Sequence, residues 1–184
     1  MTALFIGLLM HKITTKIFCI AVALFLFSGS GLCAPYKIYI FMGETCPVSR
    51  HYTLTLKKLH AEYASEKLEF IGVFPNRLST PATIAAFKEK YALPFTCIGD
   101  TTHTWVNRLG ATITPEVVVA DTSHTAIYRG RIDNTFASLG KRRRIVTEHD
   151  LTDVLNSLKD EKPPAFRQTR AIGCIITSWQ NTKE

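Results

Sequence analysis

A cysteine between a strand and a helix is the residue best suited to chemistry in this chain. Cys46 lies in the segment TCPVS, residues 45–49, which follows a stretch rich in β-forming residues and precedes one of helical periodicity. Free backbone amides and the helix dipole at a helix start stabilise a thiolate, which lowers the pKa of the thiol. A fall from about 8.5 to about 6.5 raises the thiolate fraction at neutral pH from roughly 3% to roughly 75%. We therefore predict that Cys46 is a nucleophile; the alternative is a cysteine buried as a small apolar side chain.

A proline at the entry to a strand is the second candidate feature. Thr114 and Pro115 lie in the segment ITPE, residues 113–116, directly before the apolar run that ends at Ala120. Proline is tolerated at the first residue of a strand, so a simple strand entry is one interpretation. The sharper interpretation is a cis Thr114–Pro115 peptide bond.

The hydrophobic pattern predicts the elements that must position these residues. Strands show alternating or continuous runs of β-forming residues, and helices show apolar residues three and four apart behind a capping residue or proline. The predicted strands cover 36–41, 68–74, 95–98, 116–120 and 126–129. The predicted helices begin at Pro47, at Pro81 behind Thr80, after Asp100 or Thr101 as the cap, and near Glu148 with Thr147 as the cap.

The order of these elements indicates the fold class. Alternating strands and helices favour a mostly parallel sheet with helices on both faces, and residues 126–129 add an antiparallel edge as a hairpin partner. We expect one domain over 34–160, followed by a proline-containing linker and a tail, 161–184, that carries Cys174.

The first 33 residues differ in composition from the rest of the chain. They contain two lysines, no acidic residue and an apolar run from Ile17 to Phe27, followed by small residues up to Cys33. This pattern is typical of a secretory signal peptide, because a membrane-spanning helix needs about 20 apolar residues. We predict cleavage after Cys33 and an exported, periplasmic or extracytoplasmic protein. A retained N-terminal membrane anchor is the alternative.

The charge of the chain is modestly basic. Its net charge is +7, and removal of residues 1–33 leaves 20 Lys and Arg against 15 Asp and Glu. The densest cluster, Lys141–Arg144, is interpreted as a solvated loop, with an anionic partner or membrane surface as the alternative. No zinc-finger, RNP-like or helix-turn-helix pattern occurs, so we expect no nucleic-acid partner.

Several motifs together resemble the redoxin group of thioredoxin-like proteins, the alkyl hydroperoxide reductase/thiol-specific antioxidant group, in a secreted branch. The motifs of the group are CPVS at 46–49, FIGVF at 70–74, LPF at 93–95 with Asp100, and LGATITPE at 109–116. The resemblance to the secreted branch comes from YRGRID at 128–133, LG at 139–140, HDL at 149–151 and GCI at 173–175. The resemblance covers about 36–175. It implies a thioredoxin-like three-layer α/β/α sandwich with a mixed central sheet, Cys46 as the reactive thiol, and Thr114-Pro115 as a cis-proline step facing it.

Two departures from the family pattern bear on the reaction. Ser49 stands where a dithiol thioredoxin has its second cysteine, so no disulfide can close within the motif. Gly43 stands where peroxiredoxins have a threonine that orients the peroxide. We therefore predict a thiol-disulfide oxidoreductase, acting on a protein or small-molecule thiol or disulfide with an external reductant. A thiol peroxidase with Cys46 as the peroxidatic cysteine is the first alternative.

A second thiol, from this chain or from an external molecule, must resolve the product formed on Cys46. Cys97 lies in an apolar strand segment and is expected to be buried. Cys174 follows the Pro163-Pro164 linker and could return to the domain, so it is the predicted partner, with an unpaired tail thiol as the alternative.

A metal site is the remaining alternative. No cofactor is predicted, and the histidines after residue 33 show no metal-binding spacing, so they are interpreted as surface residues. Copper binding by Cys46, Cys174 and one histidine would make this a binding protein without turnover. The histidines concerned are His51, His60, His103, His124 and His149.

Overall fold

The computed structural model describes residues 35–162 and 164–177, so the predicted signal peptide, 1–33, lies outside the described residues. The strands are β1 Tyr36–Phe41, β2 Leu68–Phe74, β3 Thr96–Gly99, β4 Ile113–Thr114, β5 Glu116–Asp121, β6 Ala126–Gly130, β7 Phe136–Ser138, β8 Lys141–Arg142, β9 Arg167–Gln168 and β10 Cys174–Ile175. The helices are α1 Pro47–Tyr63, α2 Pro81–Tyr91, α3 Thr104–Leu109 and α4 Asp150–Lys159. Within this part of the chain, the helices are too short or too polar to cross a membrane.

Six strands form a mixed central sheet in the order β3-β2-β1-β5-β6-β9. β1, β2 and β3 are parallel, whereas β5 is antiparallel to both β1 and β6. β1 and β5 lie at the centre, and four of the six residues of β1 and five of the six residues of β5 are buried. Continuous apolar runs are typical of strands covered on both faces, which is why these segments occupy the centre.

The two faces of the sheet carry different helices. Alternate β1 residues point to opposite faces, so Ile38 and Ile40 pack with α1, α2 and α4, while Tyr39 and Phe41 pack with α3. This arrangement confirms the predicted α/β/α sandwich with a mixed sheet.

The two long helices begin as their sequences predict. Pro47 is the first residue of α1, and Tyr52, Leu56, Leu59 and Tyr63 are all buried on its inner face. Thr80 caps α2, because its hydroxyl accepts a hydrogen bond from the Thr83 backbone N–H. Proline at the first helical position suits both starts, since its missing N–H has no helical partner there.

The segment after α4 returns to the domain. β9 adds to the sheet in parallel with β6, and β10 pairs with β4 in an antiparallel ladder. The β5–β6 hairpin is therefore not the edge of the described sheet, contrary to expectation. β9 and β10 are two residues long each, too short for hydrophobic alternation to reveal them.

Three local expectations are wrong. Neither Asp100 nor Thr101 is the N-cap of α3, which begins at Thr104, and the Asp100 carboxylate instead accepts a hydrogen bond from the Val106 backbone N–H. His149, not Thr147, is the N-cap of α4, and the Thr147 hydroxyl instead accepts a hydrogen bond from Asn134. His103 is buried rather than on the surface: it is the N-cap of α3, and its Nε2 lies 2.9 Å from the Pro75 carbonyl oxygen. These residues lie in the loops before α3 and α4, where hydrophobic periodicity does not predict capping or burial.

Candidate active site

Cys46 is the N-cap of α1, as its position in the sequence predicts. Its backbone N–H donates to the Gly43 carbonyl, and its carbonyl accepts the first helical hydrogen bond from Arg50. The first turn of α1 contains no acidic residue that would offset the positive end of the helix at the thiol. Only 3% of Cys46 is exposed.

The Thr114–Pro115 peptide bond is cis, which confirms that prediction, and its carbonyl faces the cysteine. Cys46 Sγ lies 3.1 Å from the Thr114 oxygen, to which the protonated thiol can donate a hydrogen bond. The buried Glu116 holds the turn from inside, because its carboxylate accepts hydrogen bonds from the Thr112 and Ile113 backbone N–H groups. The turn is thereby fixed against the start of α1.

Cys174 reaches the same point through β10. Cys174 pairs with Thr114 in the β4–β10 ladder. Beyond the ladder, the Ile176 backbone N–H donates a hydrogen bond to the Thr112 carbonyl. Cys174 Sγ lies 2.7 Å from Cys46 Sγ, although the two residues are 128 positions apart in the chain. Both thiols are free, and a disulfide bond of about 2.05 Å needs only a small further approach.

Gly173 is required for this close approach. A Cβ atom at position 173 would lie 2.1 Å from the Thr114 carbonyl oxygen and 2.7 Å from its carbon. Any larger residue would therefore push β10 away from β4. The absence of a side chain at Gly173 brings Cys174 within bonding reach of Cys46.

The two sulfurs have opposite pKa shifts. Burial raises the pKa of Cys46, but hydrogen bonds from the Cys174 thiol and from Ser49 outweigh it, and the net shift is downward. Burial, followed by the hydrogen bond to Cys46 and its negative charge, raises the pKa of Cys174 to about 11. Cys46 is therefore the more acidic thiol of the pair, and Cys174 is the thiol that donates the hydrogen bond between them.

Ser49 has a role that the sequence analysis missed. Its position three residues after Cys46 suggested only a lost second cysteine. In the structure its hydroxyl accepts a hydrogen bond from the Gly43 backbone N–H at 3.2 Å, and its backbone and hydroxyl both stabilise the Cys46 thiolate. The spacing of three residues between Cys46 and Ser49 could have indicated this contact, because residues in the first turn of a helix lie close to its N-cap.

A cavity of about 150 Å³ gives access to the pair. Cys46, Thr114 and Cys174 line it, together with residues from the loops after β1 and β2 and from β10 onward. Ile175 lies at this opening and is 79% exposed.

The third described cysteine belongs to another environment. Cys97 is half-buried on β3, and burial raises its pKa to about 11, so it is a neutral thiol near pH 7. Among residues 35–162 and 164–177, no three His, Cys, Asp or Glu side chains come together to hold a metal. The described histidines therefore do not complete a copper-binding set with Cys46 and Cys174.

Comparison with known proteins agrees with this architecture. The AhpC/TSA family model matches residues 33–132, more than half of the chain. A hypothetical protein from Sinorhizobium meliloti 1021 is 23% identical, with a TM-score of 0.68 and 82% of each chain covered. An uncharacterized conserved protein from Geobacillus kaustophilus is 22% identical, with a TM-score of 0.66 over 81% of this chain and 79% of that chain.

A third solved structure supports the fold. A candidate thioredoxin from Neisseria meningitidis is 15% identical, with a TM-score of 0.51 over 70% of this chain and 75% of that chain. These likenesses show a thioredoxin-like fold. No curated protein sequence matches the chain.

The first prediction concerns the pKa of Cys46. Cys174→Ala removes the hydrogen bond from Cys174 that lowers this pKa, so the pKa should rise, whereas Cys174→Ser keeps a donor and should raise it less. The pH midpoint of Cys46 alkylation by iodoacetamide measures this pKa in each variant, with Cys97→Ser present throughout. Equal midpoints with Cys174, Cys174→Ala and Cys174→Ser would contradict the proposed hydrogen bond.

The second prediction concerns Gly173. Gly173→Ala should slow oxidation to the Cys46–Cys174 disulfide by about 10- to 100-fold, because a displacement of about 1 Å at reacting atoms has effects of this size. Mass spectrometry of samples quenched during oxidation measures the rate. Gly99→Ala is the control, because its Cβ would meet only the end of the Ile84 side chain, at 3.3 Å. An unchanged rate in Gly173→Ala would show that the β4–β10 contact does not position the sulfurs.

Proposed function

The chain belongs to the AhpC/TSA family, with a thioredoxin-like fold, and from that premise we propose that it is an exported thiol-disulfide oxidoreductase with Cys46 as nucleophile and Cys174 as resolving cysteine. The observation that carries the proposal is the pair of sulfurs 2.7 Å apart at the start of α1. Thr114 and Pro115 form the turn that holds both cysteines in place.

The opposite pKa shifts assign the order of the steps. The Cys46 thiolate attacks one sulfur of a substrate disulfide, forms a mixed disulfide and releases the other substrate sulfur as a thiolate that takes up a proton. Cys174 then loses its proton and attacks Cys46 Sγ, which breaks the mixed disulfide. The substrate leaves as two thiols, and the protein carries a Cys46–Cys174 disulfide.

The second step depends on a change in the pKa of Cys174. Burial, followed by the hydrogen bond to the Cys46 thiolate and its negative charge, keeps Cys174 protonated. A mixed disulfide on Cys46 removes the charge and weakens the hydrogen bond, so the pKa of Cys174 falls and a larger fraction of it is the attacking thiolate. An external dithiol completes the cycle by reducing the Cys46–Cys174 disulfide, and the same steps run in reverse would oxidise a substrate dithiol.

Two observations favour disulfide exchange over the peroxidase alternative. Gly43 lies against Cys46, and a Cβ there would be 3.3 Å from both Cys46 Cβ and Thr114 Oγ1, which leaves little space for the threonine of a peroxiredoxin. The resolving thiol is already in contact with Cys46, as disulfide exchange within one site requires. The first observation removes a residue that would orient a peroxide, and the second supplies a thiol partner that binding of a peroxide does not need.

Substitution of the two cysteines tests the function. Cys46→Ser should reduce the rate of reduction of a peptide disulfide to the uncatalysed rate. Cys174→Ser should still react, but it should stop as a mixed disulfide whose added mass is visible by intact-protein mass spectrometry. Cys97→Ser is the control and should retain full activity, because Cys97 is a neutral thiol outside the site. Full activity of Cys46→Ser, or peroxide-dependent oxidation that outpaces disulfide exchange, would overturn the proposal.

Export is proposed from residues 1–33, whose basic flank and short apolar run are typical of a signal peptide. Expression of the full chain in a bacterium should yield a periplasmic protein that begins at Ala34, as measured by fractionation and intact mass. Recovery of the uncleaved chain in the membrane fraction would instead support a retained anchor. The oxidising character of that compartment is compatible with a Cys46–Cys174 disulfide.

A further inference from the structure

A groove of about 590 Å³ lies beside the cysteine pair. Its walls come from β4, the β7–β8 hairpin and the segment 170–175 that leads into β10 and through it. Gly173 and Ile175, the chain neighbours of Cys174, line this groove, whereas Cys174 itself lines the smaller cavity.

The groove is positively charged. Arg131, Arg143 and Arg170 line it, and its described lining contains no carboxylate. Arg131 is neutralised by ion pairs with Glu148 and Asp150. Arg143 and Arg170 form no ion pair with the described residues, so they supply the uncompensated charge.

Arg143 is held in a fixed position. Its Nη1 donates hydrogen bonds to the Asn134 carbonyl at 2.8 Å and to the Phe136 carbonyl at 3.3 Å. These bonds use one nitrogen of a group that carries five N–H donors on three nitrogens. The guanidinium is therefore oriented before any ligand arrives, which lowers the entropic cost of binding a carboxylate.

Apart from the arginines and Ser138, the lining of the groove is apolar, and part of it is open to solvent. Leu139 is 63% exposed on one side of the groove, and Ile175 is 79% exposed on the other. Ile175 also lines the smaller cavity at Cys46, so the two depressions meet at this side chain. An extended ligand could therefore run from the arginines past Ile175 to the sulfurs.

We propose that this groove binds an acidic, partly apolar polypeptide segment of the substrate, next to the cysteine that reacts with Cys46. The proposal rests on the proposed function and names its substrate class. Carboxylates would pair with Arg143 and Arg170, while apolar side chains would contact Leu139 and Ile175. The groove is open and continues past Ile175 into the cavity at Cys46. Such a surface suits an extended chain better than a small molecule, which favours an enclosed pocket.

Disulfide-linked peptides of matched composition test the proposal. Two homodimeric peptides share one cysteine and the same apolar residues, and differ in carrying either Asp and Glu or Lys beside the cysteine. The reduced protein should reduce the acidic peptide about three- to fivefold faster at low salt, because surface charge pairs have effects of this size. The difference should shrink at high salt, since ions screen exposed charges.

Arg170 is the residue to change, because it is exposed and forms no ion pair with described residues. Arg170→Gln should reduce the preference for the acidic peptide, and Arg170→Glu should reverse it. Lys58→Gln is the matched control for loss of one positive charge, because Lys58 is exposed on α1 and does not line the groove. It should leave the preference unchanged.

An uncharged reagent, 2-hydroxyethyl disulfide, separates the two proposals. If every variant reduces this reagent normally but the two peptides react equally fast, the groove proposal is overturned and the proposed function stands. If the unaltered protein reduces neither the reagent nor the peptides, the proposed function fails. An acidic preference that survives in Arg170→Glu, or that disappears in Lys58→Gln, would also overturn the assignment to the groove.

Discussion

The backbone pairing between β4 and β10 is the contact on which the candidate site depends. It joins the segment next to the cis Thr114–Pro115 bond to a segment 60 residues further along the chain, and it places Cys174 directly opposite Thr114. Because the Thr114 carbonyl also faces Cys46, one backbone position fixes both sulfurs. Gly173 permits this pairing, since any Cβ there would collide with the Thr114 carbonyl.

The β4–β10 pairing can position the two sulfurs because it is attached to a rigid central sheet. β1 ends directly before Met42 and Gly43, and β5 begins at Glu116 beside the proline turn, so adjacent central strands deliver the two halves of the site. Most of their residues are buried, and close-packed interiors resist displacement. β10, by contrast, is held by a two-residue ladder and a few hydrogen bonds. A rigid nucleophile and a lightly held partner suit a reaction in which the partner must first yield to the substrate and then return.

The chemical difference between the two cysteines arises from their surroundings. Both thiols are partly removed from water, which by itself raises both pKa values. Cys46 gains hydrogen bonds from Ser49 and Cys174 that outweigh this effect, whereas Cys174 gains a neighbouring negative charge that adds to it. The proposed division of labour, with Cys46 as nucleophile and Cys174 as resolving thiol, is therefore a consequence of contact between them.

The sequence by itself determined the features that depend on local order. Cys46 followed by Pro47 predicted a cysteine at a helix start, the apolar run at 116–120 predicted a central strand, and the motifs around them predicted the fold family. The β10 strand, the hydrogen bonds of Ser49 and the burial of His103 could not be predicted in this way. The β10 strand and the burial of His103 depend on contacts between segments far apart in the chain, whereas periodicity and capping rules describe only neighbours within a few residues. The hydrogen bonds of Ser49 are local, but the residue type alone does not show that its hydroxyl faces the Cys46 thiol. The sequence named Cys174 as a partner because few cysteines remained, but only the tertiary structure could bring it to Cys46, since that distance is set by the pairing of two short strands.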